Sequence, residues 1–153
     1  MCRRYGGAAP AGEAGPWPNA RREQRRTHRQ RFSQSISTEV NSVPSLELTD
    51  LDADQRLLAL PGVSLLVFTG EGCASCRWAR RHLGDLDLPV ERLCWVDAGR
   101  NGGLVERYGV FHLPALFVVR DGCFHGALNV PLQREALRGA VLAGLSGSPE
   151  ELP

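Results

Sequence analysis

The chain has 153 residues, enough for one compact domain with a core of its own. It is 42% apolar and 23% charged, an ordinary globular balance, and no stretch approaches the roughly 18–20 apolar residues of a membrane-spanning helix. The net charge of +1 gives no reason to expect nucleic acid or an anionic membrane as a partner, but residues 1–44 hold eight Arg and three Glu, while residues 45–153 hold ten Arg against fourteen Asp and Glu.

Residues 1–44 carry Pro10, Pro16, Pro18 and Pro44 and the run RREQRRTHRQR, without sustained apolar periodicity. Such a segment cannot bury enough surface to offset the entropy of ordering, so its composition predicts a basic, disordered tail. Other readings are a start assigned too far upstream, a basic arm for RNA or acidic partners, or an Arg- and Ser-rich transit segment, which Glu13 and Glu23 argue against. No apolar run follows Arg3 and Arg4, as a secretory signal requires, so a cytosolic site is expected, with cysteines reduced or transiently oxidised.

A domain is expected over residues 45–147, with 148–153 as a short C-terminal tail. Asp50 or Asp52 can cap a helix carrying Leu57, Leu58 and Leu60, which Pro61–Gly62 stops. Val63–Phe68 is a continuous apolar run suited to a strand buried on both faces. After Gly70 and Gly72, a helix from Cys73 to about Leu83 places Cys76, Ala79 and Leu83 on one face and Arg77, Arg80 and Arg81 on another. Residues 92–97 form a second strand, and Leu104–Tyr108 a helical turn ended by Gly109. Ala115–Val119 is a third strand, and Asp121–Gly122 signals a tight hairpin into a fourth at Cys123–Ala127. A last helix beginning near Pro131 presents Leu137, Ala140, Val141 and Leu145 at helical spacing. Two right-handed crossovers followed by a hairpin give an α/β sandwich of three layers. Its mixed central sheet has four strands, or five, with helices on both faces.

The chemistry points to Cys73–Ala74–Ser75–Cys76, directly after a buried-type strand and at the first turn of a helix. Cysteines three apart on a helix share a face and can close a small disulfide ring. Free backbone N–H groups and the macrodipole favour an anion at the helix start, so Cys73 is the expected nucleophile and Cys76, one turn deeper, the expected resolving thiol. Arg77, Arg80 and Arg81 push towards thiolate, and Glu71 opposes them. A zinc site needs two further ligands; there is no second CxxC, and His28, His82, His112 and His125 show no paired spacing. Cys94 reads as a small buried apolar residue, Cys123 as a thiol near a hairpin turn, and Cys2 as part of the tail. His112 is placed to tune the thiolate or to stand as a solvated loop residue. Trp95 reads as core, and Trp78 as rim or flank packing.

Over roughly Leu46 to Leu145 the chain resembles the thioredoxin family. The segments that carry the resemblance are LLVFTGEGCASC and YGVFHLPALFVVRDG, with a spacing of 38 residues from Cys76 to Pro114. The resemblance implies a thioredoxin-like fold and a groove formed by the CxxC loop and the loop ending in Pro114. By similarity Leu113–Pro114 should be cis, with the Leu113 backbone beside the cysteines and open to strand-like pairing with peptide substrates. Gly72, Ala74, Ser75, Leu113, Pro114 and Gly126 are the implied substrate-binding residues, and Glu71, Arg77 and His112 the tuning ones. The expected partners are protein disulfides and a thiol reductant, with no cofactor and no metal. The chain departs from the family at Gly72, where a Trp is usual, at Ala74–Ser75, where Gly-Pro is usual, and at Val67, where a buried Asp is usual. The expected activity is thiol–disulfide exchange; its rivals are a binding module with incidental cysteines and a metal-carrying protein.

Overall fold

The computed structural model describes residues 42–153. Most of the basic tail read at 1–44, Cys2 included, lies outside the described residues. In chain order the elements are β1 (Ser45–Leu48), α1 (Ala53–Ala59), β2 (Val63–Thr69), α2 (Ala74–His82), β3 (Arg92–Asp97), α3 (Gly102–Arg107), β4 (Ala115–Arg120), β5 (Cys123–Ala127) and α4 (Arg134–Ser146), with a 3₁₀ turn at Leu83–Asp85 after α2. The five strands are ordered β1-β3-β2-β4-β5. β1, β3 and β2 run parallel, and β4 and β5 continue the sheet antiparallel.

Side-chain alternation along β2 divides the core. Leu66 and Phe68 face a layer built by Leu57 of α1 and Leu104 of α3, with Tyr108 and Phe117. Leu65 and Val67 face the other layer, with Ala79 of α2 and Leu137 and Val141 of α4. Successive side chains point to opposite faces, so the unbroken apolar run of β2 is what a strand covered by helices on both sides requires. Cys94 lies in the first layer fully buried, and burial pushes its thiol up, away from the reactive thiolate.

Three details differ from the expectations. β1 was not among the elements read from the sequence; four residues of mixed polarity become a strand only by pairing with β3, Ser45 opposite Leu93 and Leu48 opposite Val96. The last helix starts at Arg134, not near Pro131, because Gln133 is still extended and its N–H is taken by the Pro131 carbonyl at 2.7 Å. Neither candidate acid caps α1 with its side chain. Asp52 turns back to accept from the Thr49 N–H and hydroxyl at 2.7 and 2.8 Å. Asp50 reaches across to α3, where its carboxylate accepts from the N–H groups of Gly103 and Leu104 at 3.1 and 2.8 Å. Asp50→Ala leaves both donors unmatched and should lower stability by about 1–2 kcal/mol in urea unfolding, with α3 the first segment to lose amide protection.

Tyr108 packs its ring against Phe68, Phe117 and Phe124 at centroid distances of 5.3–5.9 Å. Its hydroxyl is buried with no hydrogen-bond partner among the described residues. Burial first, and the Asp54 charge second, push the phenol up to about 12. Above pH 10 the unfolded chain releases a proton that the folded chain retains, so this group's contribution to stability falls as pH rises from about 10 to about 12. Tyr108→Phe should abolish that alkaline component and raise neutral-pH stability by up to about 1 kcal/mol, read from urea melts at pH 7 and pH 10.5.

Candidate active site

β2 ends at Thr69, and the chain then turns through Gly70–Glu71–Gly72 into α2. Both glycines have local reasons. A β-carbon on Gly70 would come within 2.8 Å of Leu113 Cδ1, so a larger residue here would require the Leu113 side chain to shift. Gly72 has φ +75°, the left-handed region, where a larger residue is strained. The turn delivers Cys73 as the N-cap of α2, its Sγ 3.1 Å from the Cys76 N–H, which donates to it. Cys73 and Cys76 form a disulfide with Cα atoms 5.2 Å apart.

The two sulfurs are not equivalent. Cys76 is 2% exposed and packed on the α2 side of the sheet, whereas Cys73 is half-buried and open at the surface. Cys73 Sγ lies 3.3 Å from the Ser75 hydroxyl oxygen and 3.7 Å from the Leu113 carbonyl oxygen. The peptide bond Leu113–Pro114 is cis. Beneath the pair, Val67 stands in register with Trp95, both buried, so no carboxylate occupies that point of the sheet.

This combination decides the architecture: a CxxC pair heading the first long helix after a central strand, a cis-proline loop opposite, and a parallel-then-antiparallel sheet. Solved structures of similar fold include thioredoxin from Trypanosoma brucei brucei (18% identity, TM-score 0.56, 73% of this chain and 98% of that one). A mutant thioredoxin from Halobacterium salinarum is similar over 69% of this chain and 95% of that one, at 19% identity and TM-score 0.57. The chain has the thioredoxin fold. The zinc-bound form of human ERp44 is also similar, at 17% identity and TM-score 0.55, over 65% of this chain; the match spans 30% of that longer protein. No protein-family model matches the sequence. No curated protein matches it either.

Within the thioredoxin fold the residues singled out from the sequence fall into two groups. Gly72, Ala74, Ser75, Leu113 and Pro114 surround Cys73, with Ala74 and Ser75 exposed. Gly126, with φ +100°, sits in β5 at the irregularity where two residues of β5, His125 and Gly126, lie opposite one of β4, Val118. It is separated from the CxxC turn by β4. His112 is exposed on the loop before Pro114, and Trp78 stacks on His82 along α2 at 4.9 Å.

Glu71 and Arg77 line a cleft of about 290 Å³ with Cys76, closed by Thr69, Arg80, Arg81 and Asp97. Asp97 enters it because it is the β3 partner of Thr69. Arg80 forms a fixed wall: it ion-pairs with Glu47, donates to the Thr69 hydroxyl at 3.2 Å, and lies 4.4 Å over the Trp95 ring. Sequence reasoning treated the arginines as a helix face and missed the cleft, whose other walls come from residues distant along the chain. It also passed over Phe111, 95% exposed on the loop beside His112, an apolar side chain held in water. Among the described residues no group of three or more His, Cys, Asp or Glu is arranged to hold a metal ion.

Proposed function

We propose that the chain is a thiol–disulfide oxidoreductase acting on protein disulfides, with Cys73 as nucleophile and Cys76 as resolving thiol. One arrangement supports the reading: an accessible sulfur at the N-terminus of α2, bonded to a buried sulfur one turn on and facing the Leu113 carbonyl at 3.7 Å. The helix start stabilises the Cys73 thiolate, the attacking species. In the reduced enzyme that thiolate attacks one sulfur of the partner's disulfide, whose S–S bond breaks and whose other sulfur leaves as thiolate. Cys76 then attacks Cys73 Sγ, releasing the partner's second thiol and closing the Cys73–Cys76 bond. The partner gains the two electrons that the pair loses, and a thiol reductant restores the pair.

The bound peptide is proposed to lie against Gly72, Ala74 and Ser75 and to pair in strand fashion with the Leu113–Pro114 backbone, reaching towards Gly126. Glu71, Arg77 and His112 are proposed to adjust the charge around the sulfurs. Equilibrating the chain in graded glutathione buffers, followed by alkylation and mass spectrometry, tests the reading. A reversible two-electron transition between roughly −120 and −300 mV is expected. A pair that stays reduced across that range would leave a binding module in its place.

A further inference from the structure

The cleft beside Cys76 lies on the β3 side of β2, whereas the Cys73 sulfur and the Leu113 carbonyl face each other on the β4 side. Cys76 lines the cleft and Cys73 does not. At 2% exposure Cys76 offers no path to a protein chain, but a space of about 290 Å³ admits a molecule of a few atoms. The two sulfurs therefore meet reagents of different size. Thr69 is a buried polar wall of the cleft, and its hydroxyl accepts from Arg80 at 3.2 Å. Arg80 is fixed in turn by Glu47 and the Trp95 ring. A hydroxyl that accepts from a cation keeps its own proton to give, and gives it more strongly. Of the two carboxylates in the lining, Asp97 is taken up by the Gly99 N–H at 2.9 Å and by Arg100 at 3.5 Å. The side chains of Arg77, Arg81 and Glu71 make no hydrogen bond or ion pair among the described residues, so two unmatched cations stand there against one unmatched carboxylate. That excess favours a thiolate, and a hydroxyl donor favours an oxygen that is gaining charge.

We propose that in the reduced chain this cleft takes up a small hydroperoxide, hydrogen peroxide or a short alkyl hydroperoxide, and that Cys76 reduces it. The proposal rests on the exchange reading for one thing, the return of the pair to the dithiol. The Cys76 thiolate attacks the terminal oxygen: an S–O bond forms and the O–O bond breaks. The other oxygen departs as an anion towards the Thr69 hydroxyl and, with one proton from solvent, leaves as the alcohol or water. Cys76 then carries a sulfenic acid with its hydroxyl in the cleft. Cys73 stands on the opposite, β4 side of that sulfur, where a nucleophile lies in line with the departing group. Its thiolate closes the Cys73–Cys76 bond as the S–O bond breaks, and the hydroxide takes a second proton to become water. The hydroperoxide gains the two electrons that the pair loses, and the thiol reductant of the exchange cycle restores the pair. The order of the cysteines is the reverse of that for a protein disulfide: Cys76 reacts first and Cys73 resolves.

The test uses the full chain carrying Cys73→Ser, in which a sulfenic acid at Cys76 has no resolving thiol and is captured by dimedone and located by mass spectrometry. With hydrogen peroxide at pH 7, capture at Cys76 should be at least about tenfold faster than with free cysteine, and faster than capture at Cys73 in Cys76→Ser. Adding Thr69→Val to Cys73→Ser should slow it by about tenfold, while Thr69→Ser, which keeps the hydroxyl, should restore it. Adding Arg77→Gln/Arg81→Gln instead should also slow it, and these exposed positions keep the test open if Thr69→Val does not fold. Capture at Cys76 no faster than with free cysteine, or a fast capture that the threonine and arginine substitutions both leave unchanged, overturns the proposal. A chain that turns over a protein disulfide while its Cys76 meets peroxide at the free-cysteine rate loses the cleft activity and keeps the exchange reading. A chain whose Cys76 is fast with peroxide but which turns over no protein disulfide keeps the cleft activity and loses the exchange reading.

Discussion

Cys73→Ser should reduce catalysed turnover of a protein disulfide by at least about a thousandfold, to the level of the added thiol alone. The size follows from geometry. Cys76 cannot take over as nucleophile, because it is 2% exposed and packed beneath the turn. Cys94 cannot either, being fully buried in the opposite layer with its thiol pushed up by burial. A serine hydroxyl at position 73 still receives the Cys76 N–H and keeps α2 capped, so stability should change little while chemistry disappears. Cys76→Ser separates the half-reactions: Cys73 still attacks, nothing resolves the product, and the partner stays bound through a mixed disulfide. Non-reducing electrophoresis after incubation with a protein substrate reads both outcomes. A Cys73→Ser chain that retains turnover would remove the nucleophile from its assigned place.

Phe68→Ala should cost about 3–5 kcal/mol, a large part of the roughly 5–15 kcal/mol that holds a domain of this kind together. Phe68 is fully buried on the central strand, its ring 5.5 Å from Tyr108 and 5.6 Å from Phe117. It stands directly opposite Val96 of β3 and Ala115 of β4, so the vacancy opens at the junction of three strands, where helices on that face cannot readily move in. Urea unfolding followed by tryptophan fluorescence measures the loss. Leu58→Ala is the contrast: that side chain is 63% exposed, and its removal should change stability by less than about 0.5 kcal/mol.

These two effects also mark what was legible in the sequence. The run at Val63–Phe68, the CxxC just beyond it and the Asp121–Gly122 hairpin are local signals, and each lies in the structure where its residues placed it. β1 was illegible because its strand character comes from β3, some 48 residues downstream by its first pairing, Ser45 with Leu93. Asp50 was assigned to the nearer helix because caps are ordinarily local, whereas its carboxylate serves Leu104, 54 residues away. The cleft at Cys76 needed the Thr69–Asp97 register, which no periodicity reveals. Local propensity wrote the elements; strand pairing assembled the charges around the second cysteine.

The two outer strands, β1 and β5, differ in how they are finished. β1 is only four residues long, which gives an incoming strand little to grip. β5 has been given a cover: the N–H and carbonyl of Phe124 exchange hydrogen bonds with Glu150, both at 2.8 Å, and Leu152 packs against the core layer beneath. The last residues thus act as a selvedge, closing off a row of backbone groups that would otherwise invite a second molecule to stitch on. Shortening the chain before Glu150, or fusing a bulky tag there, is a change in colloidal behaviour more than in sulfur chemistry.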